Sequence, residues 1–276
     1  MINLTRKSDL GSETQQQPED FLSNSSFFRS AADAGQQQRR KERLPTGSKH
    51  LDDLLSGGLE TGEITQFYGP PNSGKTHLCH LLCVVLPSSC QAIYIDTEGT
   101  FRIEKLHSIA KARGFDPTNI LDNIKVVQPT DSKQQESCIE QACVDVRYTN
   151  SKIKLLIVDS MMFHYKGEYP GRSGLSERAH RLNIYMYKLR NLAQRNNIAV
   201  VITNYMTVNP DAFEYGNSQP FGGNLVSHTS TYIISLKRRK MNGIEATLIK
   251  SPLRGYLWHP LSITESGFYD MNFVGT

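Results

Sequence analysis

The stretch Gly69-Pro70-Pro71-Asn72-Ser73-Gly74-Lys75-Thr76 has the spacing G-x-x-x-x-G-K-T, and its flanks supply the context that spacing needs. The apolar run Ile64-Thr65-Gln66-Phe67-Tyr68 precedes it, and a helical pattern follows from His77. Strand, glycine loop, helix is the order in which a backbone can turn its N–H groups onto a phosphate chain. Gly69 and Gly74 permit the turn, Lys75 reaches β- and γ-phosphate oxygens, and Thr76 offers its hydroxyl to Mg²⁺. Bound ATP with Mg²⁺ is the expectation against which the other segments are read.

At 276 residues, with 38% hydrophobic and 21% charged residues, the composition is that of an ordinary globular chain. It accommodates one α/β domain of about 230 residues and an additional segment. A net charge of +4 permits a polyanionic partner without requiring one. No apolar run approaches the roughly 18 residues of a membrane span, and the polar N-terminus has no secretory apolar region. The five cysteines include no C-x-x-C pair; Cys79 and Cys83 lie four apart after the glycine loop and read as small core hydrophobes. A reduced, cytosolic protein is expected.

Residues 1–43 read as a flexible arm rich in Gln and Ser, and residues 44–276 as the globular core. Within the arm, Phe27-Phe28-Arg29-Ser30-Ala31 stands out, because nothing nearby can bury an aromatic pair. It either anchors the arm to its own domain or plugs into a neighbouring subunit. The run Arg39-Arg40-Lys41-Glu42-Arg43 reads as a solvated charge cluster. Leu51, Leu54 and Leu55 then predict a short helix stopped by Gly57-Gly58. Strands at Ala92–Ile95, Lys125–Val127, Ile153–Val158 and Ile198–Thr203 alternate with helices over 103–113, 132–148 and 174–196. That alternation calls for right-handed crossovers and a mostly parallel sheet flanked by helices, an α/β fold. Residues 230–270 read as hairpins, one turning at Asn242-Gly243.

In an open α/β sheet, ligands lie beyond the carboxyl ends of the strands. Asp159, which follows four apolar residues, is placed to hold Mg²⁺. Glu98, two residues past a strand end, is placed to orient the water that attacks the γ-phosphate, although a carboxylate there also suits a helix start. Ser160 either supports the magnesium shell, reports the γ-phosphate or serves as a structural hydroxyl. Two patternless segments follow catalytic strands. Residues 163–173 mix aromatic, basic and glycine residues, and residues 205–222 carry Phe213, Tyr215 and Phe221. Rings and cations on such loops suit a single polynucleotide strand; the alternative is a pair of active-site lids.

Further segments carry a resemblance. They are Leu44-Pro45-Thr46-Gly47-Ser48-Lys49, Gly58-Leu59-Glu60-Thr61-Gly62-Glu63, Tyr94-Ile95-Asp96-Thr97-Glu98-Gly99-Thr100-Phe101-Arg102, Leu156-Ile157-Val158-Asp159-Ser160, Gly171-Arg172-Ser173-Gly174-Leu175 and Phe221-Gly222-Gly223-Asn224. In this order they make the chain resemble the archaeal and eukaryotic branch of RecA-fold recombinases, the archaeal RadA proteins most closely. The resemblance implies a RecA-like P-loop ATPase core and a DNA-dependent ATP hydrolase of homologous recombination and DNA repair. It implies filaments formed on single-stranded DNA with ATP, pairing of that strand with homologous double-stranded DNA, and a cytoplasmic location with the nucleoid.

By the same resemblance Glu98 matches the catalytic glutamate, beside Lys75 of the phosphate loop. The two irregular segments match DNA-binding loops, with Lys166, Tyr169, Arg172, Arg178 and Phe213 as contacts. His228 matches a residue that couples nucleotide to the second loop. Phe28 and Ala31 match an F-x-x-A subunit-linking motif, Phe28 standing eighteen residues before Thr46. Such a head-to-tail contact builds a helical filament or a ring.

Departures accompany the match. The small helical N-terminal domain of these recombinases has no counterpart, the Gln/Ser-rich arm taking its place. Tyr205 stands where the family usually has Gln, Lys105 where it has an arginine facing adenine, and Lys250 where it has an acidic residue near the neighbouring protomer's γ-phosphate. The ammonium of Lys250 is expected to replace a monovalent cation there. These changes leave open an accessory paralogue of the RadB kind, serving a main recombinase or mediator, and a RecA-fold motor acting on protein. Lys237-Arg238-Arg239-Lys240, at a predicted hairpin, is either an exposed tip or a contact for incoming duplex.

Overall fold

The strand carrying the glycine loop, β1 (Ile64–Tyr68), is buried along its whole length at the middle of a nine-stranded sheet. The computed structural model describes residues 30–32, 35, 41–148, 152–207 and 219–271. Five more strands run parallel with β1: β2 (Gln91–Asp96), β3 (Ile124–Val127), β4 (Ile153–Asp159), β5 (Ala199–Asn204) and β6 (Tyr232–Arg238). Three antiparallel strands, β7 (Gly243–Lys250), β8 (Leu257–Thr264) and β9 (Gly267–Asp270), continue the sheet from β6. The order across the sheet is β9-β8-β7-β6-β1-β5-β4-β2-β3. The chain that leaves β1 returns as β2 with β5 and β4 between them, so a crevice opens beyond the carboxyl ends of these strands.

Side-chain alternation along the strands builds two cores, one on each face. Phe67, Leu155, Ile157, Ala199 and Val201 face one; Ile64, Leu156, Val158, Val200 and Ile202 face the other. Helices α1 (Lys49–Leu54), α2 (Lys75–Val85) and α3 (Ile103–Ala112) pack into the first core through residues such as Leu51, Leu82 and Ile109. Cys79 and Cys83 are buried in it. A short α4 (Pro117–Asp122) follows, started by the Asp116 cap and a proline in its first turn. Helices α5 (Ser132–Tyr148), α6 (Phe163–Glu168) and α7 (Leu175–Asn196) cover the second face, joined by α8 (Gly223–Thr229) through Val226.

Helix α6 lies within a stretch that carries no helical period in the sequence. Tertiary contacts hold it. Tyr165 is fully buried, packs 5.9 Å from the Tyr185 ring and donates to Glu136. At its end the Glu168 carboxylate accepts from the amide and hydroxyl of Ser132, tying α6 to the start of α5. Only residues 169–174 remain as turns before α7.

Two compact units divide the chain, residues 1–40 and 41–276. In the first, Ala31 lies in a helical stretch and is exposed, while Phe28 falls outside the described residues. The second starts inside the charge run, whose described residues, Lys41 to Arg43, are pinned rather than solvated. Lys41 bridges Glu60 and Glu63, Arg43 pairs with Glu60 at 2.6 Å, and Arg43-Leu44 pairs antiparallel with Leu59-Glu60. Among the described residues no helix is long and apolar enough to cross a membrane.

Candidate active site

The turn from β1 into α2 is built for glycine at both ends. A Cβ on Gly69 would meet the Leu236 carbonyl oxygen of β6 at 2.2 Å. Gly74 has φ +89°, and a Cβ there would meet Phe268 Cζ at 2.6 Å. Gly74 is also the cap of α2 and provides no side-chain acceptor for the first amides of the helix, which leaves them to an anion. Pro71 and Asn72 are exposed on the loop, and Ser73 is buried beneath it, its amide bonded to the Pro70 carbonyl. The Lys75 ammonium folds back onto the Gly69 and Pro70 carbonyls at 2.9 and 2.8 Å. Burial pulls its pKa below the usual lysine value, against the pull of Asp159 and Glu98. A triphosphate oxygen would offer this ammonium a stronger partner than neutral carbonyls.

Asp159 ends β4 and is buried, with 2% of its surface exposed. Thr203 of β5 donates to its Oδ1 at 2.5 Å and Tyr94 of β2 to its Oδ2 at 2.8 Å. Burial raises its pKa, while the bonds from Thr203, Tyr94 and Thr76 oppose that rise. The Thr76 hydroxyl thus meets the Asp159 carboxylate at the foot of the loop. Among the described residues no group of three or more His, Cys, Asp and Glu side chains could hold a metal. One hydroxyl and one carboxylate fit Mg²⁺, a hard ion that keeps waters and takes its remaining ligands from phosphates.

A cleft of about 600 Å³ opens over these groups, and Glu98, Lys105 and Tyr205 line it with them. Tyr205 donates its phenolic proton to Glu98 Oε1 at 2.5 Å. Ser160 is buried behind, its amide bonded to Thr97 Oγ1 at 2.9 Å. His77 lies against Phe268; burial and Lys105 push its pKa down to about 4, so the ring is neutral near pH 7. Arg238, Thr264 and Glu265 complete the cleft wall from the antiparallel side of the sheet. Arg238 donates to the Asn72 carbonyl at 3.3 Å, so one residue of the basic hairpin run reaches the phosphate loop.

Beside the cleft, cations lie over aromatic rings. Lys166 Nζ is 5.5 Å from the Tyr205 ring and 5.8 Å from that of Phe221. The Arg178 guanidinium is 5.1 Å from Phe221 and donates to the Tyr169 carbonyl at 2.8 Å. Arg172 is exposed in the turn before α7, and Phe213 lies outside the described residues. His228 and Lys250 are not part of their own chain's cleft wall. Lys250 instead donates to the carbonyls of Ser227, His228 and Ser230 at 2.9, 3.1 and 2.8 Å, at the C-terminus of α8.

The Rad51 family model matches residues 37–271 of the chain. The DNA repair and recombination protein RadA of Ignicoccus hospitalis is 36% identical over 255 residues, covering 88% of this chain and 77% of that protein. The protein of the same name from Aeropyrum pernix is 36% identical over 250 residues, covering 88% of this chain and 78% of its own length. The chain belongs to the Rad51 family. Its RecA-like fold, with a mostly parallel sheet and antiparallel C-terminal strands, is that of the family.

Within this Rad51-family chain, sequence reading passed over Tyr94, Thr203, Thr264 and Glu265, and it read Arg238 as a hairpin tip or duplex contact rather than as a neighbour of the glycine loop. Tyr94 and Thr203 sit inside apolar strands and look like core until β2, β4 and β5 are laid side by side. A hydroxyl on each strand flanking the Asp159 strand was the available signal. Arg238 offered none, because its neighbour Asn72 lies 166 residues earlier.

Proposed function

We propose that this Rad51-family protein is a DNA-dependent ATPase of homologous recombination and repair that assembles on single-stranded DNA when ATP and Mg²⁺ are bound. The observation that carries this reading is the adjacency of the two half-sites. A cleft holding Lys75, Thr76, Asp159 and Glu98 opens beside a surface where Lys166 and Arg178 lie over Tyr205 and Phe221. Rings and cations in that arrangement suit bases and phosphates of an unpaired strand.

In this reading the α2 amides and Lys75 neutralise the β- and γ-phosphates. Thr76 and Asp159 would hold Mg²⁺, which when bound would draw charge from the phosphate oxygens. Glu98 orients the attacking water and accepts its proton. Phe28 and Ala31 link each protomer to the next, and Lys250 places an ammonium where the resemblance implies a monovalent cation between protomers. A second reading, an accessory paralogue that assists a main recombinase, draws on one observation: Tyr205 occupies the Glu98 carboxylate.

Steady-state ATP turnover, measured with and without single-stranded DNA, tests the proposal, and the expected outcome is stimulation by DNA. Turnover indifferent to DNA would leave the protein-motor class instead. Strand exchange by the protein alone then separates a recombinase from an accessory paralogue.

A further inference from the structure

Tyr205 touches both half-sites at once. Its hydroxyl donates to Glu98, and its ring lies under the ammonium of Lys166. Its backbone has little freedom. The Tyr205 amide donates to Asn204 Oδ1 at 2.8 Å, its carbonyl accepts from the Phe221 amide at 2.9 Å, and Asn204 Nδ2 donates to the Phe221 carbonyl at 2.7 Å. Directly after it, Met206-Thr207 pairs with Gln219-Pro220, closing the base of the second loop. The side-chain torsions of Tyr205 are therefore what remains adjustable, and they are held by Glu98 at the hydroxyl and by Lys166 over the ring.

The chemistry gives the contact a direction. Burial, with the Glu98 carboxylate next to it, raises the pKa of the Tyr205 phenol, so it keeps its proton and acts as the donor. That bond engages Oε1 of Glu98 and commits this oxygen to the phenol rather than to another donor such as a water. Lys166 is exposed, and Phe221, which shares it with Tyr205, is itself shared with Arg178. Phosphates arriving at Lys166 and Arg178 form stronger, charge-assisted contacts than a ring face provides, and draw both cations off the aromatic pair.

Resting on the reading of the protein as a DNA-stimulated ATPase, we propose that Tyr205 is a positioning residue that restrains Glu98 until a polynucleotide takes Lys166 and Arg178. The restraint is a single hydrogen bond to a carboxylate, and bonds of that kind shift a two-state balance by about tenfold or more.

The test is Tyr205→Phe, which keeps the ring and the cation contacts and deletes only the hydroxyl. With ATP and Mg²⁺ but no DNA, kcat is expected to rise about tenfold while KM for ATP stays in place. The stimulation by single-stranded DNA is expected to shrink by the same factor. If wild-type turnover rises with DNA but Tyr205→Phe leaves the DNA-free kcat unchanged or lower, the restraint is rejected and the ATPase reading stands. If wild-type turnover ignores DNA, both fall. A second measurement needs no activity: 3-fluorotyrosine installed at position 205 should change its ¹⁹F shift when oligo(dT) is added with a non-hydrolysable ATP analogue. A shift that follows the analogue alone and does not move with oligo(dT) would reject the proposal.

Discussion

At the scale of one residue, we propose that the Lys250 ammonium stands in for a monovalent cation. An ammonium has three donors in a tripod, and here all three end on carbonyls at the C-terminus of α8, where the helix dipole favours positive charge. Burial, with Arg190 nearby, pulls its pKa below the ordinary lysine value, which marks it as a partly desolvated cation rather than a free surface one. A built-in cation at this place predicts that DNA-stimulated ATP turnover is the same in potassium, sodium and choline buffers. Strong activation by potassium would remove the assignment. Lys250→Ala should cost about 0.3–1 kcal/mol of stability through the lost helix-end interaction, read by thermal melting.

At the scale of elements, the last strand of the sheet fastens the first helix of the core. The Asp270 carboxylate at the end of β9 accepts from the Lys49 and His50 amides at 3.0 and 3.1 Å and from the Ser48 hydroxyl, serving the open N-terminus of α1. Burial works against its charge, but the Ser48 hydroxyl and these two amides hold its carboxyl below the usual aspartate range. The sign follows from that direction. A folded-state pKa below the unfolded value contributes stability above the unfolded pKa, and the contribution is lost as pH falls through the folded one. Asp270→Ala should therefore melt earlier at neutral pH, by about 1 kcal/mol, and its deficit should close as pH falls below about 4. A deficit that persists unchanged at acid pH would show that packing, not charge, sets the contribution of Asp270.

For the whole molecule, the decisive question is how copies meet. His228 and Lys250 lie outside the wall that their own chain gives the cleft over the glycine loop. A second copy laid against the cleft would bring such residues to a triphosphate, and a head-to-tail contact of this type gives a ring where the rotation closes and a filament where it does not. Phe28→Ala should convert long polymers seen by electron microscopy with ATP and single-stranded DNA into isolated protomers. Polymers that persist in the variant would show that another surface joins the subunits.

The sequence by itself determined the phosphate loop, the succession of strands and helices, and the carboxylates at strand ends. All of these are written in local spacing and periodicity: Gly69 to Thr76 is one turn, and Asp159 closes an apolar run of strand length. Tertiary structure alone decided which side chains meet. Tyr94 and Thr203 grip Asp159 because the crossovers set β2 and β5 on either side of β4. Phe163–Glu168 is helical because Tyr165 and Glu168 find distant partners, in a stretch too short and too polar to fold on its own. Tyr205 reaches Glu98 across 107 residues because the ends of β5 and β2 open into the same crevice. Periodicity says which face of a strand is buried, and it carries no record of the neighbouring strand or the register, so contacts of this kind appear only once the sheet is assembled.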